Sequence, residues 1–93
     1  MLNRFDVHNS ETLNIQIDRH DQKSYLIELS KDCTKLDLVV ECLENSFSKF
    51  FVLNHAESAC ELNINMVLKQ DASCQMGVLD LEKSPLKWNH FVD

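Results

Sequence analysis

The sequence predicts a mainly β domain of antiparallel and parallel strands, built as stacked β layers like a short β-helix or as a β-sandwich, with at most one or two short helices. Residues 13–18 (LNIQID) and 61–66 (ELNINM) alternate apolar and polar side chains without a break. Such alternation places successive side chains on opposite faces of an extended strand. Clusters of Asp, Asn and Ser, which favour turns, separate the alternating segments.

Eight strands follow from this pattern when it is traced along the chain. They are expected at residues 4–8, 13–18, 24–29, 36–40, 49–53, 61–66, 76–81 and 87–92. The side chains expected to face inward in the two alternating segments are Leu13, Ile15, Ile17, Leu62, Ile64 and Met66. Two segments have helical alternatives. Residues 39–47 space apolar groups for a helix, and Ser84 followed by Pro85 would suit a helix start.

The length and composition limit the number of domains and the classes of binding partner. Ninety-three residues, 44% apolar and 26% charged, predict one globular domain over residues 1–93. The net charge is −6 and no two basic residues are adjacent, which excludes clustered phosphate contacts to nucleic acid or an anionic membrane. Neither a membrane-spanning run nor a signal-peptide layout occurs, so we expect a cytoplasmic protein.

A short layout recurs along the chain, in which a strand ends, a polar turn follows and a new strand begins. It occurs in residues 27–38, 53–64 and 68–78, with a cysteine just before the new strand: Cys33, Cys60 and Cys74. The new strands begin 26 and then 14 residues apart, so the pattern fits stacked layers, although short polar turns alone would also make a β protein look repetitive.

Residues 25–81, and residues 56–64 (AESACELNI) most closely, resemble the SufB/SufD family of iron-sulfur cluster assembly proteins. The shared feature is the order of the segments: an apolar strand, a polar turn that contains a small residue, and a second apolar strand. The resemblance implies a non-enzymatic scaffold that pairs with a partner scaffold and an ATPase subunit. This chain is much shorter and lacks the family's long β-helix and helical C-terminal region, and none of its residues matches a cluster-ligand position.

Cysteine and histidine are the candidate metal ligands. His55 and Cys60 are five residues apart on one predicted turn, the nearest approach to a zinc-ligand pair. Cys33, Cys60 and Cys74 would be iron-sulfur ligands if their turns stacked in one column. The alternative is that the cysteines are buried, reduced thiols without metal, and we expect no cofactor and four free thiols.

No enzymatic activity is expected, because no catalytic motif is present and a single glycine cannot form a phosphate-binding loop. The candidate interaction residues are aromatic. Phe50 and Phe51 are adjacent on one strand, so either one is exposed for a partner or the strand is buried on both faces. Trp88 and Phe91 form a second apolar group.

The sequence therefore predicts a homo-oligomer or a complex with another protein, formed through an edge strand. Residues 86–92 and the Phe50–Phe51 strand are the candidate edges. The predicted function is a scaffold module resembling part of an iron-sulfur cluster assembly protein, and the alternative is a stand-alone β-sandwich interaction domain.

Overall fold

The computed structural model describes residues 2–81 and 86–93, and only the backbone of residues 86–88. Its strands are β1 (Leu2–Val7), β2 (Ser10–Ile17), β3 (Gln22–Leu29), β4 (Lys35–Cys42), β5 (Phe47–Asn54), β6 (Cys60–Leu68), β7 (Ser73–Asp80) and β8 (Leu86–Val92). These residues contain no helix, and so none that could cross a membrane. The predicted mainly β class and each of the eight expected strands are confirmed.

The strands form two four-stranded sheets that face each other. The first sheet has the order β1-β3-β5-β7 and the second has β2-β4-β6-β8. The chain therefore crosses from one sheet to the other with every strand, and each consecutive pair of strands makes one coil. Four coils, β1–β2, β3–β4, β5–β6 and β7–β8, stack into a flattened solenoid, which confirms the prediction of stacked layers.

All six strand pairs are parallel, so the expectation that some strands would pair in antiparallel fashion was wrong. Each strand meets, one coil later, a strand that runs in its own direction, which a coiled path requires and a hairpin forbids. From the second strand on, paired residues lie 25 or 26 positions apart, as in Gln22 with Phe47 and Lys35 with Glu61. The 26-residue spacing found in the sequence is this coil length.

One turn joins each coil to the next, and the three turns of this kind are stacked on one another. Each is a four-residue β-turn closed by an N–H to C=O bond of 3.0–3.2 Å: residues 18–21, 43–46 and 69–72. The third residue of each has a positive φ near 60°: His20, Asn45 and Asp71. These residue types tolerate the left-handed conformation better than most, which explains how the chain turns without glycine.

The turn at residues 43–46 also replaces the helix considered for residues 39–47. Strand β4 continues to Cys42 and β5 begins at Phe47, with Asn45 in the left-handed conformation between them. That hypothesis was therefore wrong, because a left-handed residue cannot continue a right-handed helix. The other helical candidate, Ser84 and Pro85, lies outside the described residues.

The core lies between the sheets and is mainly apolar, with Ser48 and Asn54 of β5 as buried polar side chains. Ile17, Leu62, Ile64 and Met66 are buried as predicted, and Leu13 and Ile15 pack against them while partly exposed. The rings of Phe5, Tyr25 and Phe50 stack across three coils, with centroids 6.0 Å and 4.7 Å apart. On the outer face of the second sheet, the Asn63 amide donates to Asp37 and the Asn89 amide donates to Asn63, both at 2.9 Å.

Candidate assembly interface

The first and fourth coils present open strand edges, because each is paired with the rest of the described chain on one side only. Val7 and Ile17 accept backbone bonds from Ser30 and Leu43 of the following segments, at 2.8 and 2.9 Å. Consecutive residues of a strand direct their N–H and C=O groups to opposite sides. Asn14 is an odd number of positions from Ile17, so its N–H and C=O point away from the second coil.

The same argument applies at the opposite end of the solenoid. Asp93 donates to the Met66 carbonyl at 2.8 Å and accepts from the Leu68 N–H at 3.0 Å. The adjacent Val92 consequently directs its N–H and C=O away from β6. Open backbone groups of this kind recruit further strands unless charge, proline or a cap covers them.

The two ends differ in polarity. In the first coil, two inward positions are occupied by polar groups, since Asn3 is in register with buried Tyr25 and Glu11 with buried Leu36. The other inward positions of this coil are apolar. Among the described residues, the fourth coil exposes the large apolar side chains of Leu79, Leu81, Phe91 and Val92, the last two by 61% and 58%, whereas the first coil exposes that of Leu2. The fourth coil is therefore the more apolar end and the stronger candidate for an interface.

The structure separates the two adjacent phenylalanines. Phe50 is fully buried and Phe51 is 50% exposed on the outer face of the first sheet. Phe50 is therefore unavailable as an interaction residue. Strand β5 is also not an edge, because β3 and β7 pair with it on both sides, and the expectation that it would pair with a second copy was wrong. Period-2 alternation placed one ring inside and one outside.

Phe51 contributes to a shallow apolar groove of about 230 Å³. Its ring lies over Gly77, where an added Cβ would be 3.4 Å from the ring. Exposed Leu79 also lines the groove. Of the other predicted aromatic group, Phe91 is exposed on β8, and the side chain of Trp88 lies outside the described residues.

The four cysteines are free and lie at two opposite edges of the solenoid. Cys33 precedes β4 and Cys60 begins β6 on the next coil, with their Sγ atoms 3.6 Å apart and 0% and 1% of each residue exposed. Burial, followed by the contact with Cys33, raises the pKa of the Cys60 thiol to about 12. The Cys60 thiol is thus held in its protonated, unreactive form.

The other two cysteines lie near the turns that join the coils. The Cys42 Sγ is 3.7 Å from the hydroxyl of buried Ser48. Cys74 is in register with Ser48 and interacts with Ser48 and Cys42, and burial raises the pKa of the Cys74 thiol to about 11. This group lies roughly 25 Å from Cys33 and Cys60, the length of an eight-residue strand.

This position of Cys74 contradicts the predicted column of Cys33, Cys60 and Cys74. The turn before Cys74 joins one coil to the next, whereas Cys33 and Cys60 lie in the corners within a coil, and the 14-residue spacing reflects that difference. His55 does not join Cys60 either. Its Nε2 lies 3.4 Å from Glu28 Oε2 at the outer face, while Cys60 is buried. Among the described residues, no three His, Cys, Asp or Glu side chains are placed to hold a metal ion.

Comparisons with protein-family models, with curated proteins and with solved structures found no match to this chain. The residues that the sequence analysis missed are those whose role lies in the backbone, such as Asn14 and Val92. Their side chains carry no signal of an open edge, and only the 26-residue coil length could have located them.

Proposed function

We propose that this chain is a non-enzymatic assembly module, which associates with a second copy through the open edge of its fourth coil. In this arrangement β7 and β8 of one copy meet β7 and β8 of the other around a two-fold axis. A two-fold contact closes on itself and leaves no further edge at that end.

The observation that carries the proposal is the combination of open backbone groups and exposed apolar side chains at β8. Val92 directs its N–H and C=O outward, and Val92 and Phe91 are more than half exposed. On the other strand of the same coil, Met76 and Val78 of β7 are only partly buried although they pack against the core. Pairing would satisfy the backbone and remove these side chains from water together.

The resemblance to SufB/SufD proteins extends the proposal to the kind of process. A scaffold of that class works by docking other proteins, so the module would support iron-sulfur cluster assembly through its surfaces. The positions of the cysteines support no cluster bound by Cys33, Cys60 and Cys74 together. This part of the proposal rests on the order of apolar strands and polar turns in residues 25–81, which resembles that of the family.

The test is the molar mass in solution, measured by size-exclusion chromatography with light scattering. We expect a dimer at about 50 μM. A stable interface of standard size buries roughly 800 Å² per partner, and the proposed contact would have to reach that area. The double variant Phe91→Lys/Val92→Pro places a charge and a proline on the edge, where both block strand pairing. We expect it to be monomeric, with an unchanged far-ultraviolet circular dichroism spectrum.

The matched control is Thr12→Lys/Asn14→Pro, which makes the same kinds of change at exposed residues of the opposite edge. We expect this control to remain dimeric. A monomeric wild-type chain would contradict the proposal. A control that becomes monomeric as well would also contradict it, and would indicate that the first coil of one copy stacks on the fourth coil of the next.

A further inference from the structure

We propose that Cys33 and Cys60 form a dithiol that can close to a disulfide between the second and third coils. This would be a modification site independent of the assembly surface, because it lies in the corners between β3 and β4 and between β5 and β6. Its effect would be to fasten two neighbouring coils to each other by a covalent bond.

The geometry brings the two sulfurs together with the backbone already suitably spaced. The Sγ atoms are in van der Waals contact at 3.6 Å. Cys60 is aligned with the residue next to Cys33, since the Glu61 N–H donates to the Thr34 carbonyl at 3.0 Å. Neighbouring strands are about 4.8 Å apart, and a disulfide accommodates Cα separations of roughly 4.4–6.8 Å. Side-chain rotation, with little backbone movement, can therefore complete the bond.

The chemistry needs an oxidant, and a low-molecular-weight disulfide such as glutathione disulfide supplies it. One thiol loses its proton and attacks the glutathione disulfide, which releases one glutathione thiolate and leaves a mixed disulfide on the protein. The second protein thiol then attacks the protein sulfur and releases the second glutathione. Two electrons and two protons pass from Cys33 and Cys60 to glutathione, which leaves as two thiols.

Access to the pair would control the rate. Both cysteines are buried and the Cys60 thiol is held protonated, so attack requires the corner to open. The residues that cover the corner, including Lys31, Asp32, Glu57 and Ser58, are themselves exposed. An opening confined to this corner would expose the thiols without unfolding the coils, and the disulfide would be shielded again once the corner closed.

The experiment treats the native 93-residue chain with glutathione disulfide, traps free thiols with an alkylating reagent in denaturant, and maps the products by mass spectrometry. Trypsin separates the four cysteines completely, onto the peptides 32–35, 36–49, 50–69 and 70–83. We expect a linked pair of peptides 32–35 and 50–69, with two alkylated thiols at Cys42 and Cys74. The circular dichroism spectrum should stay unchanged, and the melting temperature should rise by at least about 5 °C and return after reduction.

Two variants act as controls. Cys42→Ser/Cys74→Ser keeps the proposed pair and should still lose two thiols, whereas Cys33→Ser should form no intramolecular disulfide at its corner. The proposal is overturned if the native protein gains no link between peptides 32–35 and 50–69. A link involving Cys42 or Cys74 instead, or one that appears only when the spectrum shows unfolding, would overturn it as well.

Discussion

The two middle coils and the two terminal coils have the same strand pattern but very different burial. In β3 to β6 the inward side chains are buried apart from Lys23 and Leu68 at the strand ends, and Leu38, Val52 and Ile64 are at 0% exposure. In β7 and the described part of β8 no side chain is fully buried, and in the first coil only Val7 and Ile17 are. An inward side chain in a solenoid is thus buried by the coils above and below it, in addition to the facing sheet. The stability of the molecule is therefore expected to be concentrated in the middle.

The largest effect should come from the aromatic stack. Phe50→Ala removes a fully buried ring whose centroid lies 4.7 Å from that of the Tyr25 ring. We expect a loss of about 4 kcal/mol in the free energy of unfolding. Phe5→Ala removes a partly exposed ring at the other end of the stack and should cost about 1 kcal/mol. Denaturant unfolding followed by circular dichroism measures both. Equal losses would contradict a stability concentrated in the middle coils.

A cleaner comparison uses one residue type in one column of the second sheet, since Leu13 and Leu38 are paired in register. Leu38 is fully buried, whereas Leu13 remains partly exposed. We expect Leu38→Ala to cost about 3 kcal/mol and Leu13→Ala about 1 kcal/mol in the free energy of unfolding. A larger cost at Leu13 would indicate that the first coil is covered in solution, for example by another copy.

The hydrogen-bonded side chains on the outer face of the second sheet should contribute less. Asn63→Asp would place a second carboxylate beside Asp37, at a position where the amide now donates at 2.9 Å. We expect a loss of roughly 1 kcal/mol at neutral pH, and recovery of part of it in acid as the carboxylates gain protons. Asn65→Asp is the control, because Asn65 is exposed on the same strand and its register neighbours are Val39 and Phe91. A similar loss in both variants would show that the contact with Asp37 is not its cause.

The smallest effect, and the most specific, concerns the single tyrosine. Burial, and then the charges of Asp21 and Asp18, raise the pKa of Tyr25 above its usual value of about 10. Since the unfolded chain then loses this proton first, Tyr25 contributes full stability below about pH 10 and loses it as the pH rises toward the folded pKa. Titration of the phenolate absorbance should give a higher midpoint in native protein than in denaturant. Coincident midpoints would mean that the second coil leaves this ring hydrated.

Much of the fold could be predicted because strand formation is a local property. Alternation at residues 13–18 and 61–66 located β2 and β6, and the short polar clusters located the turns. Parallel pairing could not be predicted, since a strand with one face inward has the same pattern whichever way its neighbour runs. Cys74 was misplaced for a related reason. The turns within a coil and between coils have similar compositions, and only the register between distant strands distinguishes them.

The sequence predicted an interface formed by an edge strand, but it named only some of the strands that the structure leaves open. The exposed Phe91 came from the sequence, and so did the separation of Phe50 from Phe51 as one of two alternatives. Assigning β5 to an edge was wrong, because edge positions depend on the order of strands across a sheet, which no local pattern records. The contact between Cys33 and Cys60 joins residues that are 27 positions apart, and it became visible only through the coil length.

From β2 onward, the nearly constant offset of 25 or 26 residues between paired strands also has an evolutionary consequence. Each coil recognises its neighbours through a backbone pattern that is the same at every level, so a gene duplication that repeated residues 43–68 would insert a complete coil. The new coil would find complementary strands above and below it and would lengthen the core without altering the first or the fourth coil. An insertion of half that length would bring the chain back on the wrong sheet. The connection between β1 and β2 is three residues shorter than that between β3 and β4, so the corners can vary. Larger changes should come in whole coils, and family members should then differ in length by multiples of about 26 residues.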